Sequence, residues 1–147
     1  MKLSIITIAF NAEETIEETV QSVLSQNCAG FDLEYLLIDG ASSDSTLDIL
    51  SPYSNRITLI SEPDKGIYDA MNKGIEKASG DYIGILNADD VYADDDVLQH
   101  VMDVFRASGS DSVYGDLVYV QRDNLLHVTR TWISGSFKLN AFRNGWM

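Results

Sequence analysis

Apolar positions along the 147-residue chain fall in short runs that alternate with amphipathic stretches over roughly its first hundred residues. Leu3 to Phe10 is the first run, and Ile5, Ile6 and Ile8 favour extended structure, so it reads as a buried strand. Ile16, Val20, Val23 and Leu24 then recur at helical spacing. Asn11 is placed to cap that helix, with Glu14 three residues on as a capping-box partner. Glu13, Glu14, Glu17 and Glu18 suit its positive N-terminal end. Tyr35 to Asp39 predicts a second strand, and the polar turn Gly40-Ala41-Ser42-Ser43-Asp44 leads into a short helix carrying Leu47, Ile49 and Leu50, closed by Pro52. Ile57 to Ser61 predicts a third strand. Glu62-Pro63-Asp64-Lys65-Gly66 follows, then a helix with Ile67, Ala70, Met71, Gly74, Ile75 and Ala78 on its inner stripe and Gly80 at its end. Tyr82 to Leu86 is the fourth strand, and Val97, Leu98, Val101, Met102 and Phe105 mark a fourth helix that stops near Gly109.

The pattern changes after that. Val113 to Val120 and Leu125 to Trp132 read as an antiparallel pair about the turn Arg122-Asp123-Asn124. Phe137 to Met147 has little periodicity. Four strand–helix units in succession predict an α/β fold: a mostly parallel, Rossmann-like sheet with helices on both faces and a C-terminal antiparallel hairpin.

Composition narrows the function classes. Hydrophobic residues make up 45% of the chain, enough for one core at this length, and residues 1–147 are expected to form a single domain. Ten Lys and Arg stand against 23 Asp and Glu, a net charge of −13. Nucleic acid or an anionic surface would require a basic face, so neither is expected as a partner. The single cysteine, Cys28, excludes an internal disulfide framework and a cysteine zinc cage. No apolar run approaches the roughly 20 residues of a membrane span. The start, Met1-Lys2-Leu3-Ser4-Ile5, lacks a signal peptide's apolar region. A soluble cytoplasmic domain is the expectation.

In an open parallel sheet all strand carboxyl ends share one edge, where ligands bind. The topology therefore gathers Asn11, Asp39, Asp44, Glu62, Asp64, Lys65, Asn87, Asp89 and Asp90. Adjacent carboxylates such as Asp89 and Asp90 repel each other, and a hard divalent cation relieves the repulsion. Such an ion would supply the positive charge that an acidic protein otherwise lacks for a diphosphate. The same pair also fits a solvated acidic turn, as Asp94, Asp95 and Asp96 do as helix-start acids. Asp39 at a strand end can accept from a base N–H or a ribose hydroxyl, or simply start an Asx turn eased by Gly40. Lys65-Gly66 precedes a helix N-terminus, a place suited to phosphate; a surface lysine fits equally. His100 and His127 have no partner at metal spacing, and Cys28 has no neighbouring base to activate it. The Rossmann glycine fingerprint, the P-loop and the serine-hydrolase elbow are absent.

Four segments carry a resemblance. They are Ser4-Ile5-Ile6-Thr7-Ile8-Ala9-Phe10-Asn11-Ala12, Glu34 through Thr46, Ser61 through Gly74, and Gly80 through Asp90. In this order, each at a strand end, they resemble glycosyltransferase family 2 over roughly residues 1 to 120. The resemblance implies a GT-A fold and transfer of a sugar from a nucleotide-diphosphate donor with Mg²⁺ or Mn²⁺. It implies that Ala9, Phe10, Asn11 and Glu13 line the nucleoside pocket and that Asp39 reads the base. Asp64 and Lys65 would contribute to the nucleotide pocket. The D-x-D-type motif falls on Asn87-Ala88-Asp89-Asp90 with Asn in its first place. That makes Asp89 the leading metal ligand, Asp90 the second, and Asn87 a contact to ribose or sugar. The expected acceptor is a surface glycan or its lipid-linked precursor.

Family members usually run longer, and an inverting transfer needs a general base for the acceptor hydroxyl. No residue here matches that motif, and Asp116 in the hairpin is not promoted to it. The base is therefore expected beyond Met147, in a C-terminal acceptor part that would also carry any peripheral contact with the inner face of the membrane. Two alternatives stay open. One is a non-catalytic nucleotide-sugar-binding remnant. The other is a receiver-like phosphoacceptor domain, although that class needs paired acids after the first strand, where Phe10-Asn11-Ala12 stands.

Overall fold

The computed structural model describes residues 1–136. The segment Phe137 to Met147 lies outside them. The chain divides into two compact units, Met1–Asp103 and a second that begins at Val104.

In the first unit β1 (Lys2–Ala9), β2 (Asp32–Asp39), β3 (Thr58–Ser61) and β4 (Tyr82–Asn87) alternate with α1 (Ile16–Leu24), α2 (Thr46–Leu50), α3 (Ile67–Lys77) and α4 (Val97–Ser108), the last running into the second unit. The strands form one parallel sheet in the order β3-β2-β1-β4. The chain moves outward from β1 to β3 and then returns to the other side of β1. The strand order therefore reverses between β1 and β4, and a crevice opens at their carboxyl ends.

β1 is buried on both faces, as an interior parallel strand must be, which accounts for its unbroken apolar run. One face carries Ile6, Ile8, Leu36 and Ile38, packed on Ala70 of α3, with Ile60, Met71 and Ala78 at the margin. Gly74 sets how closely α3 approaches: a Cβ there would lie 2.5 Å from Ile6 Cγ2. The opposite face carries Ile5, Thr7, Tyr35 and Leu37, all buried, and Tyr35 donates to Thr7 Oγ1 at 3.0 Å. Burial raises the Tyr35 phenol to about 12 despite that bond.

At the amino end of the sheet, Glu34 accepts from Lys2 Nζ at 2.6 Å, Ser4 Oγ at 2.5 Å, and the Ser79 amide and hydroxyl at 2.7 and 2.6 Å. Desolvation would raise this carboxyl, but those donors outweigh it and hold it at about 2.

Several expected boundaries move. Asn11 does not cap α1: the helix begins at Ile16, its cap position is Thr15, and no side chain caps it. Asn11 instead takes φ 48° and turns toward the second loop. β2 starts at Asp32, three residues before its apolar run, because Lys2 and Ser4 on β1 pair with Asp32 and Glu34. Pro52 sits within a 3-10 turn, Ser51–Tyr53, that extends α2. Gly80 does not end α3, which stops at Lys77 with Ala78 extended. Its work is close packing, since a Cβ would lie 2.7 Å from the Ser4 backbone nitrogen. Ile67 and Ile75 of the expected inner stripe stay 49% and 44% exposed, because Ala70 and Gly74 are the α3 positions that face the sheet.

In the second unit, β5 (Leu117–Gln121) and β6 (Asn124–Trp132) form the antiparallel pair, with register shifts at Tyr119/Val120 and Val120/Gln121. Arg130 lies 5.4 Å from the ring centroids of both Tyr119 and Trp132. The expected strand over Val113 to Asp116 is instead a loop, closed by the Ser134 amide on Asp116 Oδ1 at 2.9 Å and by Tyr114 on the Gly135 carbonyl.

Candidate functional site at the carboxyl edge of the sheet

The loops after β1 and β2 are stitched together. The Asn11 amide donates to Ser42 Oγ at 2.8 Å, Ala12 to Thr46 Oγ1 at 2.9 Å, and Glu13 to Asp44 Oδ2 at 3.1 Å. In return Ser43 donates to Asn11 Oδ1 at 2.9 Å and Ser45 to Glu13 Oε2 at 2.8 Å. Both non-glycine residues with positive φ, Asn11 (48°) and Ala41 (62°), lie in this seam among the described residues. A left-handed alanine has no side-chain compensation for its steric cost, so the surrounding hydrogen bonds must hold it there. Asp44 also accepts from the Thr46 amide and hydroxyl. Desolvation would raise its carboxyl, but the Thr46 and Glu13 donors keep it below the ordinary range.

Asp39 lies under this seam at 0% exposure. Its Oδ1 accepts from Ser42 Oγ at 2.5 Å, and its Oδ2 from the Ser42 amide at 3.0 Å and Ser61 Oγ at 2.6 Å. One buried carboxylate thus ties β2 to its own turn and to the end of β3. Ala9, also buried, accepts from the Gly40 amide at 2.9 Å.

Above Gly40 two further side chains meet. A Cβ at that position would lie 2.5 Å from Asp64 Oδ2 and 3.3 Å from Phe10 Cδ2. Gly40 is therefore the floor of a small cradle walled by the Asp64 carboxylate and by Phe10, a residue left 65% exposed. Asp64 Oδ1 accepts from the Gly66 amide at 2.8 Å, and Gly66, at φ 110°, starts α3. Lys73 clasps the loop from behind through Glu62 (2.9 Å), Asp69 (3.7 Å) and the Pro63 carbonyl. The Glu62 hydrogen bond leads the causes that raise its ammonium's pKa, against desolvation. Lys65 is exposed, and its ammonium makes no ion pair among the described residues.

Across the crevice, β4 ends in a tight turn. The Asp90 amide donates to the Asn87 carbonyl at 3.1 Å, and Asn87 Nδ2 donates to Asp90 Oδ2 at 3.1 Å. Asn87, Asp89 and Asp90 are exposed, while Ala88 is buried. Among the described residues no three acidic, histidine or cysteine side chains converge to hold a metal.

A set of residues that sequence reading passed over holds this turn and the acidic stretch after it. Thr19 Oγ1 donates to the Ala88 carbonyl at 2.9 Å, and the Tyr92 amide donates to Ser22 Oγ at 3.4 Å. Gln26, nearly buried, donates to the Asp94 carbonyl at 2.6 Å and accepts from the Leu98 amide at 2.9 Å. Ser25 and Asn27 bind the carboxylates of Asp95 and Asp96. The side chains of Asp95 and Asp96 are thus acceptors for the end of α1. The amide at the start of α4 is met by Gln26 rather than by a helix-start aspartate. The signal was present for Thr19, which shares the buried helix stripe of Ile16, Val20 and Val23.

A parallel sheet with loops converging at the β1/β4 switch point, acids on one side and a small cradle on the other, places the chain among open-sheet α/β domains. The glycosyl transferase family 2 model matches residues 4–146, and the chain belongs to that family. A PGL/p-HBAD biosynthesis glycosyltransferase of Mycobacterium tuberculosis (strain ATCC 25177 / H37Ra) is 35% identical over 120 residues, covering 78% of this chain and 46% of its own length. The chain thus spans about half the length of the curated relatives it matches. Staphylococcus aureus TarS residues 1–349 in complex with UDP-GlcNAc superposes with a TM-score of 0.68 at 25% identity, over 76% of this chain and 33% of that one. The mannosyltransferase PcManGT of Pyrobaculum calidifontis, in complex with GDP-Man and Mn²⁺, gives 0.66 at 24% identity, over 82% of this chain and 35% of that one. These neighbours are GT-A glycosyltransferases, and the fold here is GT-A.

Proposed function

We propose that the chain is the donor-binding part of an inverting, metal-assisted glycosyltransferase that takes its sugar from a nucleoside diphosphate. What supports this reading is that the loops after β1, β2 and β3 and the turn after β4 meet at one edge of a single parallel sheet, around its switch point. On one side is the Phe10–Gly40–Asp64 cradle, with Ala9 at the end of β1, Asn11 and Glu13 in the loop after it and Lys65 beside it; the base and ribose go there. On the other is the exposed turn Asn87-Ala88-Asp89-Asp90, where the diphosphate ends.

The donor set of that turn suits Mg²⁺ or Mn²⁺. A hard ion shared with a diphosphate takes one or two protein carboxylates and fills its other positions with water and phosphate oxygens. Asp89 supplies the first and Asp90, partly engaged by Asn87, the second. When bound, such an ion neutralises charge on the departing diphosphate. Asp39 supports the base pocket from below through Ser42 and Ser61. The acceptor hydroxyl's proton goes to a base in the acceptor-binding part of a longer polypeptide.

A glycan or lipid-linked glycan is the acceptor class, with the mycobacterial relative's printed role in PGL/p-HBAD biosynthesis in support. The reaction would then belong to the cytoplasmic side of the membrane. The first test is thermal melting with UDP, GDP and other nucleoside diphosphates, with and without Mn²⁺. A ligand at about 100 times its Kd adds roughly 2.7 kcal/mol. Metal-dependent stabilisation lost in Asp89→Ala is the expected result; a nucleotide shift indifferent to Mn²⁺ and to Asp89 refutes the metal role. Transfer by the longest natural reading frame, against donor binding without turnover, separates an enzyme from a binding remnant.

A further inference from the structure

The hydroxyl of Thr19 makes a hydrogen bond whose geometry bears directly on Asp89. Asn87 to Asp90 is a four-residue turn closed by the Asp90 amide on the Asn87 carbonyl at 3.1 Å, with Ala88 and Asp89 at its centre. In such a turn the central peptide is the mobile one. Types I and II differ by a flip of the peptide between the two central residues, which swings its carbonyl from one side to the other. Here that carbonyl belongs to Ala88, and it accepts the Thr19 hydroxyl at 2.9 Å in a fully buried contact. The flipped form would also require a positive φ at Asp89, which does not have one.

Thr19 is 0% exposed, and the Thr15 carbonyl, its other acceptor, lies farther away at 3.4 Å. A single hydroxyl proton so placed is committed to Ala88.

We propose that Thr19 is a positioning residue for the metal-and-diphosphate end of the donor site: by holding the Ala88 carbonyl it locks the Ala88–Asp89 peptide and so fixes the direction in which the exposed Asp89 carboxylate leaves the turn. The proposal rests on the donor-binding reading above. Outer partners that orient a metal ligand typically change metal affinity by about 10–100-fold when removed.

The experiment compares Thr19→Val, which keeps the shape and removes the proton, with Thr19→Ser, which keeps the proton. Tyr35→Phe, which removes a buried hydroxyl bond to Thr7 on the same sheet face, is the stability control. UDP and GDP are each titrated against Mn²⁺ in the 147-residue chain, and the Mn²⁺ concentration for half-maximal nucleotide binding is read by calorimetry. Thr19→Val should raise that concentration by about tenfold or more. Thr19→Ser should restore it to within about twofold to threefold of the parent, a gap well inside that range. Tyr35→Phe should lower the melting temperature and leave the Mn²⁺ dependence where it was.

If Thr19→Val only lowers the melting temperature and binds Mn²⁺ and nucleotide as the parent does, the positioning role is wrong while the donor-binding reading stands. If the serine variant behaves like the valine one, the hydroxyl is not the agent and the proposal fails. A parent chain whose nucleotide binding ignores Mn²⁺ removes the metal role and this proposal with it, while nucleotide binding itself stands.

Discussion

Removing the Asp39 carboxylate tests whether the centre of the edge is built for the fold or left open for a ligand. Asp39→Ala would strand three donors that the structure sets against it, the Ser42 amide at 3.0 Å, the Ser42 hydroxyl at 2.5 Å and the Ser61 hydroxyl at 2.6 Å, and leave a void at 0% exposure. Each orphaned buried donor costs about 1–3 kcal/mol, and hydrogen bonds to a charged acceptor lie at the upper end. Both serine hydroxyls can rotate their protons away, whereas the Ser42 amide cannot, so the sum is closer to about 3 kcal/mol than to the arithmetic maximum. For a chain of this length that is a fall of roughly 10 °C in melting temperature. Asp39→Asn should cost less, about 1–2 kcal/mol. Its amide can donate to Ser42 Oγ, which also takes the Asn11 amide at 2.8 Å, while its oxygen keeps the Ser42 amide and Ser61. Melting followed by circular dichroism without nucleotide, with urea midpoints beside it, gives both numbers. If Asp39→Ala melts within about 3 °C of the parent, the carboxylate is not holding the edge and the supporting role assigned to it fails.

Three further outcomes follow from the same geometry. Glu34, held at about 2 against an ordinary value near 4.3, stabilises the fold above that ordinary range and loses the contribution as pH falls toward 2. Glu34→Gln should therefore cost about 1–2 kcal/mol at pH 7 after solvent screening, and the gap to the parent should close between pH 4.5 and 2 in paired urea titrations; a gap constant with pH contradicts it. Ala41→Gly should stabilise the chain by about 0.5–1 kcal/mol, because φ 62° strains alanine but not glycine; an unchanged or lower urea midpoint argues against strain. Gly40→Ala should fold almost normally, since the Asp64 carboxylate it meets can swing away, yet weaken nucleotide binding several-fold by spoiling the cradle.

The elements that were legible in the sequence are those whose apolar positions are all satisfied within the element's own pattern. β1, fully inside a parallel sheet, is the clearest case, and α4 with its stop at Gly109 is another. β2 was cut short because Asp32 and Glu34 read as polar loop, and only their pairing with Lys2 and Ser4 of β1 makes them strand. Asn11 looked like a helix cap because a local rule fits it; its acceptor is satisfied 32 positions away at Ser43. The strand-end acids were found from topology alone. Their individual circumstances depend on which donors arrive from other loops, and hydrophobic periodicity carries no information about that. Thr19 was open to inspection, because a polar residue on a buried helix face requires a partner, yet the sequence does not say which loop supplies it.

Charge at the edge divides by whether the carboxylate oxygens already have donors. Asp39 and Asp44 receive amides and hydroxyls on both oxygens, and Glu13 receives the Ser45 amide. Asp90 receives one amide from Asn87, while Asp89 is exposed. Acids already engaged by the backbone should act on stability, and acids left to solvent should act on the cation. Asp44→Asn and Asp89→Asn test this as a crossed pair. Asp44→Asn turns a donor toward the Thr46 or Glu13 amide, so it should lower the melting temperature of the nucleotide-free chain and leave the Mn²⁺ concentration for half-maximal nucleotide binding unmoved. Asp89→Asn should leave the nucleotide-free melting temperature within about 2 °C, as an exposed substitution does, and shift the Mn²⁺ dependence strongly. A result in which both variants move both quantities together would mean that the two loops respond as one unit, and that the separation between bracing acids and ligand acids does not hold.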